Sequence, residues 1–145
     1  MLDIAAIISR LKANAPSLGR IDTAIDMDAL MASKPQPHGK PLAAVIAMGL
    51  RGGAVEVMTG AFVQDVEIVF SVILTIPSHG DRAGRDAAPD VLALFAEVCA
   101  ALCGWGPDDA PGAVKVGRAF TVVSKPGAIV YSIEFAIGDQ LRIFA

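Results

Sequence analysis

The clearest pattern along the chain is the alternation of apolar and polar side chains over residues 62–77. The even positions are apolar except for Gln64. The odd positions include four polar residues: Asp65, Glu67, Ser71 and Thr75. A period of two residues predicts a β-strand with one apolar face. Because the run greatly exceeds the ~5–6 residues of a typical strand, we expect it to project past its own sheet or to carry a β-bulge.

Two further segments have the spacing of helices. Residues 2–14 repeat isoleucine and leucine at helical intervals, and residues 91–103 are apolar on all sides, with Glu97 as the single charge. A helix of the second kind is typically buried on more than one face. Pro89 suits its first turn, and Gly104 supplies a left-handed cap at its end.

The region between the first helix and the long strand is punctuated by proline and glycine. A short helix is predicted over residues 27–32, with Asp26 as its N-cap. Residues 34–41 contain three prolines and form an extended linker. A first strand follows over residues 42–49, and we interpret the glycine-containing residues 50–61 as a mobile loop.

Residues 114–124 and 129–137 alternate again and predict a β-hairpin. The order of elements indicates an α+β fold. We expect an antiparallel or mixed four-stranded sheet with two main helices packed on one face. A length of 145 residues fits one domain over residues 1–145.

The composition suggests that the chain's own core does not cover all its apolar surface. The apolar fraction is 54%, above the ~45–50% that is usual even with glycine counted. The longest apolar stretch falls short of the ~18 residues of a membrane span. Asp3 lies where a signal peptide would carry basic residues. We therefore expect no membrane association, and retention in the cytoplasm.

Candidate chemistry is sparse. The net charge is −3 with scattered cations, which argues against nucleic-acid binding. Cys99 and Cys103 are four residues apart in an apolar helix, which indicates buried thiols. His38 and His79 have no partner at metal-ligand spacing. We find no catalytic triad, metal set or phosphate-binding loop, and expect no cofactor.

The segment LCGWGPDDAPGAVKVGR, residues 102–118, ends the apolar helix and leads by a proline-stiffened path to the next strand. Trp105 either folds back on the sheet as a lid or serves as an interface anchor. Asp108 and Asp109 have the setting of solvated turn residues. A small cytoplasmic α+β enzyme or ligand-binding domain, with its site near Trp105, is the alternative function.

Several of these segments together resemble a known family. They are Leu102-x-Gly-Trp-x-Pro after an apolar helix, the ending Tyr131-x-x-x-Phe-Ala-x-x-Asp, the central MGLRGGAVEVMTGAFVQDVEIVFSVIL and the N-terminal IAAIISRLK. In this order they are similar to the tail-terminator proteins of long-tailed bacteriophages, including the Mu-like group. The resemblance extends over residues 4–143. A head–tail connector component of related fold is a further candidate.

The resemblance implies a structural virion protein, assembled in the host cytoplasm, at the head-proximal end of the tail. Such proteins form a hexameric ring that stops polymerisation of the tail tube protein and joins the tail to a head-completion or connector protein. DNA passes through the lumen without specific binding. We expect interface contacts from seven residues: Arg51, Met58, Thr59, Asp65, Trp105, Asp108 and Asp109.

Overall fold

In a computed structural model that describes residues 3–33, 39–78, 88–106, 112–125 and 127–144, five strands form one sheet in the order β1-β2-β3-β5-β4. The strands are β1 Ile21–Thr23, β2 Leu42–Met58, β3 Ala61–Ser78, β4 Val114–Lys125 and β5 Gly127–Phe144. The helices in the described ranges are α1 Ile4–Asn14, α2 Met27–Ala32 and α3 Ala88–Leu102.

The sheet is mixed, and it has one strand more than the sequence predicts. β1 pairs parallel with β2, whereas the other neighbouring strands are antiparallel. β1 contains three residues, of which only Ile21 is buried. A strand this short has no readable alternation, so the α+β class is confirmed while the four-strand count is wrong.

Helices α1 and α3 cover one face of the sheet, as predicted for the two main helices. The even positions of β3 face them, and four of these side chains lie in the main core: Phe70, Val72, Leu74 and Ile76. Phe70 stacks on Phe135 of β5 with the ring centroids 5.4 Å apart. The predicted apolar face of the long strand is therefore confirmed.

Helix α2 packs on the opposite face of the sheet. Its Met27, Leu30 and Met31 contact a second, smaller core made by Ile46, Ile73 and Val130. The odd positions of β3 are thus buried here as well, including Ser71 and Thr75. The prediction of helices on one face holds for α1 and α3 and fails for α2.

Residues 50–61 are not the loop that the sequence predicts. β2 continues through them to Met58, and only Thr59 and Gly60 form the turn to β3. Gly60 has a φ of 81°, which favours glycine. Gly53 lies in an irregular part of the ladder, where a Cβ would come 3.0 Å from the carbonyl oxygen of Asp65. This glycine therefore permits close approach within a strand pair.

The predicted helix ends are confirmed. The carboxylate of Asp26 accepts a hydrogen bond from the backbone N–H of Ala29 at 2.7 Å, as expected of an N-cap. Gly104 follows α3 with a φ of 81°. The expectation that α3 is buried on more than one face is not met within the described chain, because Leu92 is 65% exposed.

Candidate functional site

Three strands of the sheet extend beyond the part covered by the helices. β4 pairs with β5 only as far as Ile137, whereas β3 pairs with β5 up to Phe144. We call this extension the arm. It consists of residues 49–67, which include the end of β2, the turn and the start of β3, together with residues 138–144 of β5. The prediction that the long strand projects past its own sheet is wrong, because β3 pairs with β2 and with β5 as far as Ala61. It extends past β4 and the helices together with these two partners.

One face of the arm carries ion pairs. Glu67 accepts from Lys115 Nζ at 2.7 Å and from Arg51 Nη2 at 3.0 Å. The hydrogen bond and charge of Lys115, with those of Arg51, hold the pKa of Glu67 below its ordinary value of 4.5. Arg51 and Lys115 are exposed and Glu67 is partly exposed, so solvent and salt screen the attraction. Their effect is to orient side chains across three strands.

The same face continues toward the tip of the arm through amide contacts. Gln140 donates to a carboxylate oxygen of Asp65 at 3.0 Å, and Arg142 donates to the side-chain oxygen of Gln140. Nearer the body, Arg118 donates twice to Glu134, at 2.8 and 3.1 Å. The polar face is therefore a row of side chains that satisfy one another.

The other face of the arm is apolar and open to solvent. Its exposed large side chains come from the two outer strands: Leu50, Val55 and Val57 of β2, and Leu141 and Ile143 of β5. The register places them on one face, because Val57 and Ile143 both pair with Phe62. Val57 is 75% exposed and Ile143 is 55% exposed. The arm is thus amphipathic across its thickness.

Trp105 lies at the turn after α3. Its ring is partly buried against the main core, and the Arg10 guanidinium lies 5.6 Å from the ring centroid. Its backbone accepts from Val114 N and donates to the Leu102 carbonyl oxygen. These contacts agree with the lid interpretation, and a further contact role for Trp105 stays a prediction.

The sequence-predicted interface residues separate into two places. Arg51, Thr59 and Asp65 lie on the arm, together with the backbone of Met58. Trp105 lies at the α3–β4 turn, while Asp108 and Asp109 fall outside the described residues. The exposed apolar side chains of the arm were missed. The alternation in residues 139–144, DQLRIF, contained the signal for Leu141 and Ile143.

The described residues contain little that suggests catalysis. They include no group of three or more His, Cys, Asp or Glu that could hold a metal ion. The prediction of two buried thiols is wrong, because Cys99 is partly buried and Cys103 is exposed. Burial and the neighbouring Cys103 raise the pKa of Cys99 to about 11, so its thiol stays protonated at neutral pH and is a poor nucleophile. His38 and His79 lie outside the described ranges.

One cavity lies beside α3, with a volume of about 340 Å³. Its polar lining includes Ser17 and Glu97, whose side chains bond to each other at 2.8 Å. Asp90 also lines this cavity. Within the described residues, no helix is long and apolar enough to cross a membrane.

Comparison with known proteins gives one family. A family model described as "Phage tail terminator protein" matches residues 1–143 of the 145 residues. No curated protein matches the chain. The match concerns the family as a whole, so the likeness to the Mu-like group stays a prediction.

Proposed function

Since this chain belongs to the phage tail terminator family and is therefore a tail component, we propose that it forms a hexameric ring on the head-proximal end of the tail tube. The ring stops further addition of tube protein and joins the tail to a head-completion or connector protein. Assembly takes place in the host cytoplasm.

The observation that carries this proposal is the amphipathic arm. A tail tube grows by a head-to-tail contact between rings that does not close on itself. A terminator must match the exposed end of that tube and offer a different surface above it. The arm presents an apolar face and a polar face to different directions. A sheet extension with two unlike faces suits contacts with more than one neighbour.

The predicted interface residues fit two regions of contact. Arg51, Met58, Thr59 and Asp65 belong to the arm. Trp105, with Asp108 and Asp109, belongs to the segment after α3. We assign both regions to contacts within the tail, with the tube protein, the connector protein or a neighbouring subunit.

The role is structural rather than enzymatic, and DNA passes through the lumen without specific binding. A net charge of −3 suits a passage that does not retain DNA. Arg51, Lys115 and Arg118 are each paired with a carboxylate. Such pairing reduces the positive potential that would hold phosphates.

The test is electron microscopy of lysates from the parental phage or prophage after deletion of this gene. We expect headless tails of irregular, extended length, and recovery of uniform tails joined to heads when the wild-type gene is supplied in trans. Tails of normal length joined to normal heads in the deletion strain would refute the proposal.

A further inference from the structure

The apolar face of the arm continues the sheet face that α1 and α3 cover in the body. Phe70 of β3 is fully buried beneath those helices. Moving along the same strand by steps of two leads through Ile68, Val66 and the polar Gln64 to Phe62, which is paired on both sides by exposed apolar residues. Apart from Gln64, the sheet face therefore remains apolar after the helix layer that covers it has ended.

The exposed apolar area of this face lies in the upper part of the range that isolated chains show. This face leaves on the order of 500 Å² of apolar surface open to solvent, from the exposed side chains of Leu50, Val55, Val57, Leu141 and Ile143. The largest apolar patch of a typical monomer covers ~300–600 Å². A standard interface buries about 800 Å² per partner, of which roughly 60% is apolar. The face is therefore close to the apolar part of one stable protein contact.

A second uncharged surface lies on the outer side of α3. Leu92, Ala96, Ala100 and Cys103 are exposed at helical spacing along one stripe. Between Asp90 and the end of the helix, the only charged residue is Glu97, whose carboxylate is bound to Ser17. Small side chains along this stripe allow another surface to approach the helix closely.

The two surfaces suit each other because an apolar sheet face is commonly covered by a helix layer. They lie on different parts of one molecule, so their contact joins unlike patches of neighbouring copies and repeats around a ring. The polar face of the arm has its own ion pairs and amide contacts, and Phe144 at the tip is its exposed large apolar side chain. These features favour a second copy of the chain over an unrelated partner.

We infer that, in the ring, the apolar face of each arm packs against the outer face of α3 of the neighbouring subunit. This inference rests on the proposed function and specifies which surfaces close the ring. In the body, α1 and α3 form a helix layer over this sheet face. In the ring, the neighbour's α3 continues that layer over the arm.

The test is cysteine cross-linking on assembled tails. The deletion strain is supplied with protein in which Cys103→Ser removes the exposed native thiol. This protein also carries Ile143→Cys and either Leu92→Cys or Ala100→Cys. Tails are purified from this strain and treated with a short bis-maleimide. We expect a ladder of dimers and higher multimers of this chain, with at least one of the two helix positions. The matched control replaces Ile143→Cys by Phe144→Cys. Phe144 is 72% exposed but pairs with Ala61 on the opposite face of the arm.

The outcomes separate the two proposals. Tails of normal length without a ladder, or with the arm cysteine joined instead to the tube protein, would overturn the contact with α3 and leave the terminator function standing. An equal ladder with Phe144→Cys would overturn the assignment to the apolar face. Normal tails in the unsupplemented deletion strain would overturn the function, and with it the inference.

Discussion

The body and the arm share the same strands but differ in what covers them. In the body, the even side chains of β3 lie beneath α1 and α3, and Phe70 is fully buried. In the arm, the same face of the sheet carries Val57 and Ile143, which are exposed. Alternation along a strand thus shows which face is apolar. It does not show whether the cover comes from the same chain.

The difference also separates two consequences of losing an apolar side chain. In the body, truncation leaves a cavity that the surrounding core fills only partly. In the arm of a single chain, truncation removes surface that was already in water. Body substitutions should therefore affect the free energy of unfolding, and arm substitutions should affect assembly.

The strongest test of this contrast compares two phenylalanines. Phe70→Ala should lower the free energy of unfolding by about 3–5 kcal/mol, because the ring is buried and stacked on Phe135. Phe144→Ala should change it by no more than about 0.5 kcal/mol, because that ring is exposed. Urea unfolding followed by circular dichroism measures both. Equal losses would show that the arm is as tightly packed as the body.

The next test uses charge on the two faces of the arm. Ile143→Asp should leave the fold of the single chain intact but reduce the amount of protein on purified tails by about tenfold or more, because the contact would bury an unpaired carboxylate. Phe144→Asp, on the opposite face, serves as the control. Quantitative immunoblotting of tails measures the difference, and a similar reduction in both variants would contradict the contrast between the faces.

The sequence predicts much of the body because its signals are local. Periodicity places α1, α3 and the apolar face of β3, and cap chemistry identifies Asp26 and Gly104. β1 escapes prediction because three residues carry no period. Its position is set by pairing with β2, which lies about twenty residues further along the chain.

The arm is harder to predict because its glycines have a different meaning there. In residues 50–61, glycine next to polar residues is typical of a loop. In the structure, Gly52 and Gly53 lie in β2 opposite β3, and the chain stays in the ladder. Arg51 and Asp65 lie in the arm, and their interface role stays a prediction. The apolar face opposite them depends on the cross-strand register, which no single segment contains.

Two glycines with the same φ angle allow a finer comparison. Gly60 in the arm and Gly104 in the body both have a φ of 81°, so alanine at either position should cost about 1 kcal/mol of local strain. For Gly104→Ala, we expect the strain to lower the free energy of global unfolding. For Gly60→Ala, we expect the strain to appear mainly as faster amide exchange in the arm, because we expect the arm to open before the body.

Hydrogen exchange followed by mass spectrometry, together with urea unfolding, distinguishes these outcomes. If Gly60→Ala lowered the global free energy of unfolding as much as Gly104→Ala, the arm and the body would unfold as one unit. The expectation that the arm opens before the body would then be wrong.

The smallest effect should come from the ion pairs on the polar face of the arm. The pKa of Glu67 lies below its ordinary value, chiefly through Lys115 and also through Arg51. A carboxylate with a lowered pKa stabilises the fold above its unfolded pKa, and this contribution is lost as the pH falls through its folded pKa. The wild-type chain should therefore lose a small amount of stability below about pH 4.5, and Glu67→Gln should lose less over the same range. Glu56 is a nearby exposed carboxylate on β2, so Glu56→Gln serves as the matched control. Thermal unfolding between pH 3 and 6 supplies the measurement.

Because the pairs are exposed, raising the salt concentration should reduce the difference between Glu67→Gln and wild type. A difference that persisted in high salt would mean that Glu67 is shielded from solvent, and that the polar face of the arm resembles the body more than its exposure indicates.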